Sequence, residues 1–328
     1  MLPALGAVPF VGASALDFAL GLLDPSTKMT IPALPAQRHR EPQAWKDGRR
    51  ALREGDLISF TGVGGLEIFT RSWLPAADPR AVVVIAHGVS EHLGRYEHVA
   101  ERLVEAGYAV EALDHRGHGR SQGDRAVIDR MQRAVDDLAS FVIRAGAEHA
   151  GEKVFLLGHS MGGCISLELA LQRPKLLDGL ILSAPAAALE SASPVELFLG
   201  RILSAVAPRT GVFEVDSGTV SRDPEVVADY DADPLGYHGK LPARTVSEMA
   251  GVIKAFPARV PSLELPLLVM LGTDDRLVPP AAGRMVEELA ASADKRLIEY
   301  DGLYHEILNE PEKGKVMDDL VAWLDERT

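Results

Sequence analysis

Apolar and polar positions follow two rhythms along this chain. A short, continuous apolar run occurs at Ala81–Ala86, as suits a strand covered on both faces, and further segments at Tyr108–Leu113, Lys153–Leu157, Asp178–Leu182, Pro266–Leu271 and Arg296–Tyr300 read as strands. Helical spacing marks Tyr96–Glu105, Val127–Arg144, Met161–Gln172, Ala281–Ala291 and Pro311–Glu326 between or after them. Ahead of all these, Asp56–Phe60 and Leu66–Leu74 flank Gly62-Val63-Gly64-Gly65, which predicts a β-hairpin with a glycine turn. The alternation predicts an α/β fold with a mostly parallel central sheet, helices on both faces and an antiparallel leading edge. One interval breaks the rhythm. Ala184 to about Leu263 is far too long for a simple crossover. With its own helical stretch at Pro194–Val206, it predicts an inserted cap over the end of the sheet. The expected organisation is an N-terminal apolar extension and linker (1–50), a core from 51–183 and 264–328, and a cap insertion over 184–263.

Composition narrows the function classes. The chain has 328 residues and a formal charge of −13, and no long basic stretch offsets that charge. A nucleic acid partner is therefore not expected. Cys164 is the single cysteine, so no internal disulfide can form. That suits a cytoplasmic protein. Met1–Leu23 is mostly apolar, but Pro3 and Pro9 interrupt it and no Lys or Arg precedes Lys28. This is a poor secretory signal and a poor membrane span, although Ala13-Ser14-Ala15 resembles a cleavage site and leaves export open.

The strongest chemical signal is Gly158-His159-Ser160-Met161-Gly162-Gly163, directly after the apolar run Val154–Leu157 and before a helix. This is the G-x-S-x-G nucleophile elbow in its strand–turn–helix setting. A serine hydroxyl needs a base to take its proton. Downstream, Gly272-Thr273-Asp274-Asp275 follows a strand end, and Asp301-Gly302-Leu303-Tyr304-His305 follows the next. The order serine, acid, histidine suits such an elbow, and of ten histidines only His305 lies after the acid loop. Spacing alone leaves Asp274 and Asp275 as equal candidates for the acid. An anionic tetrahedral intermediate also needs donors. The amide after the nucleophile, that of Met161, is one candidate. The amide of Val89, in the loop His87-Gly88-Val89 after Ala81–Ala86, is the other. His87 reads as a structural hydrogen-bonding residue under that loop.

Other chemistries find less support. Asp114-His115-Arg116-Gly117-His118-Gly119 gathers histidines but lacks the spacing of a zinc helix, so it reads as a tight loop. No phosphate-binding loop is present. No metal and no cofactor is expected.

The blocks His87–His92 with Arg95-Tyr96, Asp114–Ser121, Gly158–Gly163, Gly272–Leu277 and Gly302–His305 together resemble the monoacylglycerol lipases, in the same order. The likeness runs from about Asp56 to the C-terminus. It implies the α/β-hydrolase fold, with Ser160 as nucleophile, Asp275 as acid, His305 as base, and Val89 and Met161 as oxyanion donors. Asp275 is preferred over Asp274 because the family's acid directly precedes the arginine matched by Arg276. The implied substrate is a small lipid ester, most simply a monoacylglycerol, admitted beneath an apolar cap. Val195, Leu197, Phe198, Leu199, Ile202, Leu203 and Val206 give the predicted cap helix a broad apolar surface, suited to packing or to transient contact with a membrane or micelle. Lysophospholipase, short-chain carboxylesterase and a non-catalytic binding relative are the competing readings.

Overall fold

The computed structural model describes residues 57–188 and 194–328. The expectations for residues 1–50 lie outside these. In chain order the strands are β1 (Leu57–Thr61), β2 (Glu67–Trp73), β3 (Val82–Ala86), β4 (Ala109–Leu113), β5 (Val154–His159), β6 (Gly179–Ser183), β7 (Gly211–Phe213), β8 (Leu241–Pro242), β9 (Leu267–Gly272) and β10 (Lys295–Tyr300). Eight of them form one sheet in the order β1-β2-β4-β3-β5-β6-β9-β10. The pairs β1/β2 and β2/β4 are antiparallel, and every later pair is parallel. The expected hairpin, parallel sheet and antiparallel edge are all present.

The helices are α1 (Glu97–Glu105), α2 (Met131–Glu148), α3 (Met161–Gln172), α4 (Pro194–Val206), α5 (Pro224–Ala232), α6 (Ala243–Ile253), α7 (Phe256–Arg259), α8 (Ala281–Leu289) and α9 (Lys313–Asp325). Successive side chains of a strand point to opposite faces. Val82, Val84 and Ala86 of β3 thus join the layer containing α2 and α3, while Val83 and Ile85 join the layer containing α1 and α9. Both layers are buried, which is why β3 reads as an unbroken apolar run. The chain leaves β3 for β4 on one side and returns to β5 on the other. The carboxyl ends of β3 and β5 therefore border the switch point where such sheets place their ligands.

The largest departure of a helix from its expected bounds is at α2. The spacing predicts Val127–Arg144, whereas α2 runs Met131–Glu148. The Ile128 amide donates to Thr245 Oγ1 and the Met131 amide to Glu248 Oε2, both on α6. These tertiary bonds hold the predicted first turn outside the helix.

Between β6 and β9 the chain forms α4 to α7 and the two-stranded sheet β7–β8. Tyr237 N donates to Ser90 O, His92 Nε2 lies 2.6 Å from Asp233 Oδ2, and Glu306 N donates to Val220 O. These bonds hold the segment against loops at the carboxyl ends of the strands. On α4 and β7, Ile202, Val206, Val212 and Phe213 are exposed. No helix among the described residues is long and apolar enough to cross a membrane.

Candidate active site

The turn between β5 and α3 forces Ser160 to φ 52° and ψ −118°, a conformation costly for any residue with a side chain. The glycines around it are steric requirements. A Cβ on Gly162 would sit 2.1 Å from the Ala86 carbonyl oxygen, and one on Gly158 would sit 2.6 Å from that of Gly162. The Ser160 amide donates to Ser183 O at 3.0 Å, and Ser160 O accepts from Cys164 and Ala186, each at 3.0 Å. The strained residue is held on both sides.

Asp275 and His305 are brought together by the loops after β9 and β10. His305 Nδ1 lies 2.7 Å from Asp275 Oδ2. The other oxygen, Oδ1, accepts from the amides of Leu277 and Val278 at 2.8 and 2.9 Å. The carboxylate is thus fully engaged and aimed at the imidazole. Asp274 is exposed instead, its amide bonded to Leu303 O. Burial lowers the affinity of His305 for a proton, but the charge and hydrogen bond of Asp275, helped by Glu306 and Glu91, raise its pKa above the ordinary imidazole value. Nδ1–H is then the hydrogen donated to Asp275, which leaves Nε2 for proton transfer.

The loop after β3 is fixed by two bonds from one ring. His87 Nε2 accepts from the His115 amide at 2.9 Å, so His87 Nδ1 carries the hydrogen and donates to Gly88 O at 2.7 Å. Burial, with His115 and His118 nearby, keeps His87 neutral by lowering its pKa well below the usual value. The structural part expected of His87 matches this arrangement. Val89 follows at once, and Met161 opens α3, where first-turn amides have no intrahelical acceptor. The loop Asp114–Ser121 is tight, as expected. Asp114 accepts from the amides of Leu93 and Arg120, each at 2.8 Å.

Ser160, His305, Gly88 and Val89 line one cavity of about 370 Å³, a size usual for ligand sites. Its far walls are apolar and come from the segment after β6: Phe213, Val215, Leu241, Val246, Met249 and Ile253.

A family model described as serine aminopeptidase, S33 (Hydrolase_4) matches residues 77–312. A monoacylglycerol lipase of Mycolicibacterium smegmatis is 45% identical over 267 residues, covering 81% of this chain and 95% of that protein. The human monoglyceride lipase is 34% identical, over 83% of this chain and 91% of its own. The chain belongs to the monoacylglycerol lipase family. It is a carboxylic ester hydrolase with the α/β-hydrolase fold. Among solved structures, the Paleococcus ferrophilus monoacylglycerol lipase superposes with a TM-score of 0.71 at 30% identity, over 80% of this chain and 100% of that one. A soluble variant of the Saccharomyces cerevisiae monoglyceride lipase reaches 0.76 at 23% identity, over 85% and 98%, which speaks for the fold.

Sequence reasoning gave no role to a polar network at one end of the cavity in this family member. Arg95 donates to both Glu306 oxygens at 2.5 and 2.8 Å and to Glu91 Oε2 at 3.2 Å. Glu91 Oε1 accepts from Tyr96 OH at 2.8 Å and the Gly88 amide at 2.5 Å. The Arg95 guanidinium lies 4.9 Å from the Tyr230 ring centroid. For Glu306, burial works against ionisation, but Arg95 outweighs it and the pKa falls; for Glu91, burial wins and the pKa rises. Glu91, Arg95 and Tyr96 stood within the resembling blocks. The position of Glu306 beside His305 was the only signal for it.

Proposed function

We propose that this protein hydrolyses monoacylglycerols to fatty acid and glycerol through an acyl-Ser160 intermediate. One observation carries the reading: a single cavity joins Ser160 and His305 to a long apolar wall on one side and to Glu91, Tyr230 and Glu306 on another. An acyl chain suits the first surface, and a hydroxylated head group suits the second. His305 Nε2 takes the Ser160 proton as Oγ attacks the ester carbonyl, while Asp275 stabilises the imidazolium. The amides of Val89 and Met161 receive the developing oxyanion. Collapse of this intermediate breaks the ester C–O bond, and His305 returns the proton to the glycerol oxygen. Water, deprotonated by the same imidazole, then releases the fatty acid and restores Ser160.

Residues 184–263 act in this reading as the cap that selects the acyl chain. The exposed Ile202, Val206, Val212 and Phe213 lie on α4 and β7, and Phe213 also lines the cavity. They suit transient contact with a lipid surface.

The test is labelling with a fluorophosphonate serine-hydrolase probe, with monoolein as competitor. Labelling should be suppressed by monoolein and lost in Ser160→Ala, whose turnover should fall about a thousandfold or more while its melting temperature holds. Labelling that persists in Ser160→Ala would overturn the nucleophile. Labelling unaffected by monoolein would turn the reading toward short-chain esters.

A further inference from the structure

His159, the residue before the nucleophile, is buried and lines the cavity, yet the mechanism above gives it nothing to do. Its ring centroid lies 4.8 Å from that of His305, with the planes at 50°. Its Nδ1 lies 3.2 Å from Ser183 Oγ at the end of β6, and its ring is 6.5 Å from that of Tyr96. The ring is therefore held between the elbow, the neighbouring strand and the candidate base. We propose that His159 is a positioning residue whose neutral ring supports the imidazolium that forms at His305 during each proton transfer. This rests on the proposed Ser160–His305 mechanism and extends it.

The physical case has three parts. A cation over the face of an aromatic ring, within about 6 Å of its centroid, is attracted to the π system, and the 4.8 Å between the two rings lies within that reach. His305 is neutral when it acts as base and cationic once Ser160 has attacked. The attraction is thus stronger in the transition state than before it, which is the requirement for faster chemistry. Finally, the supporting ring must itself stay neutral. Burial, and then His305 itself, push the His159 pKa down to about 3, so it stays unprotonated while His305 cycles.

The charged groups acting on His305 are Asp275 from the loop after β9, Glu306 on its own loop, and Glu91 from the segment after β3; Arg95 donates to Glu306 and Tyr96 to Glu91. Glu91 and Glu306 share the single guanidinium of Arg95. Among these neighbours His159 is the ring closest in kind to the imidazole, and it has no charge to offer.

Two substitutions separate the ring from its hydrogen bond. His159→Gln can keep a bond to Ser183 but has no ring; His159→Phe keeps a ring and loses the bond. Rates against pH would be measured on one soluble ester for the wild type, both variants and Ser160→Ala, with melting temperatures alongside. In His159→Gln, kcat should fall about three- to tenfold with KM little changed. The acid limb of kcat/KM should also move about half a unit or more to lower pH, because the imidazolium has lost support. His159→Phe should recover most of both losses.

A plain packing role would lower melting temperature in either variant without moving the acid limb. An unmoved limb in His159→Gln, or a His159→Phe variant that matches it, overturns the proposal. Activity retained in Ser160→Ala would instead show that the mechanism beneath it is wrong.

Discussion

The two walls of the cavity are built by different physics. One wall comes from loops after β3, β5, β9 and β10, and its side chains are fixed by directional bonds: Asp275 to His305, His87 to Gly88, Arg95 to Glu306. The other comes from the segment between β6 and β9, where Phe213, Leu241, Val246 and Met249 present apolar surface. Directional bonds fix atoms to fractions of an ångström, and losing one leaves a buried polar group unmatched. Apolar contact is graded and tolerates rearrangement. The first wall therefore suits proton transfer, and the second suits chains of differing length.

Substitutions can break or sharpen this contrast. The largest effect is expected at the acid. Asp275→Asn should lower kcat by about 10³- to 10⁴-fold. Asp274→Asn, on an exposed carboxylate, should stay within about threefold; comparable losses would mean that the two side chains exchange places. Next comes Glu306→Gln, which leaves the Arg95 guanidinium buried without its closest partner. A loss of about 3 kcal/mol in unfolding free energy is expected by denaturant titration. A loss under about 1 kcal/mol would show that water enters this end of the cavity.

A pH effect on stability should follow from two buried histidines in the loop after β4. Burial first, and then neighbouring positive charge, push the pKa of His115 down to about 3 and that of His118 to about 4. Unfolded histidine titrates near 6.5, so between that pH and about 4 the unfolded chain binds more protons than the folded one. The stability these neutral rings retain is full above about pH 6.5 and is lost as pH falls. The melting temperature should drop by several degrees between pH 6.5 and 4.5, and this drop should shrink in His118→Asn. The smallest effect is expected on the apolar wall. Met249→Ala should raise KM for a long-chain monoacylglycerol about two- to fivefold and barely alter a short aryl ester.

The same contrast decides what could be read from the residues alone. The elbow is local, since the glycines that flank Ser160 reveal its strained turn within six positions. Apolar runs revealed the sheet because β3 to β6 are covered on both faces. The choice between Asp274 and Asp275 was not local; it depends on which carboxylate the turn aims at a histidine thirty positions away. The pairing of Arg95 with Glu306 spans 211 positions, and that of Thr245 with Ala126 spans 119. Such bonds leave no periodic trace, which is why the polar end of the cavity went without roles and the start of α2 was misplaced. The elements between β6 and β9 are short and take their partners from the core, so only α4 carried enough pattern to be expected.

Helix α3 meets β3 backbone to backbone, because nothing larger than hydrogen fits between Gly162 and the carbonyls of Ala86 and His87. Those carbonyls begin the loop that carries Val89. The serine and the amide proposed to face its oxyanion are thus indexed to one mechanical datum, like two tools clamped to the same jig. Substitutions on the segment after β6 would change what enters the cavity while the spacing between attacker and anion receptor stays the same.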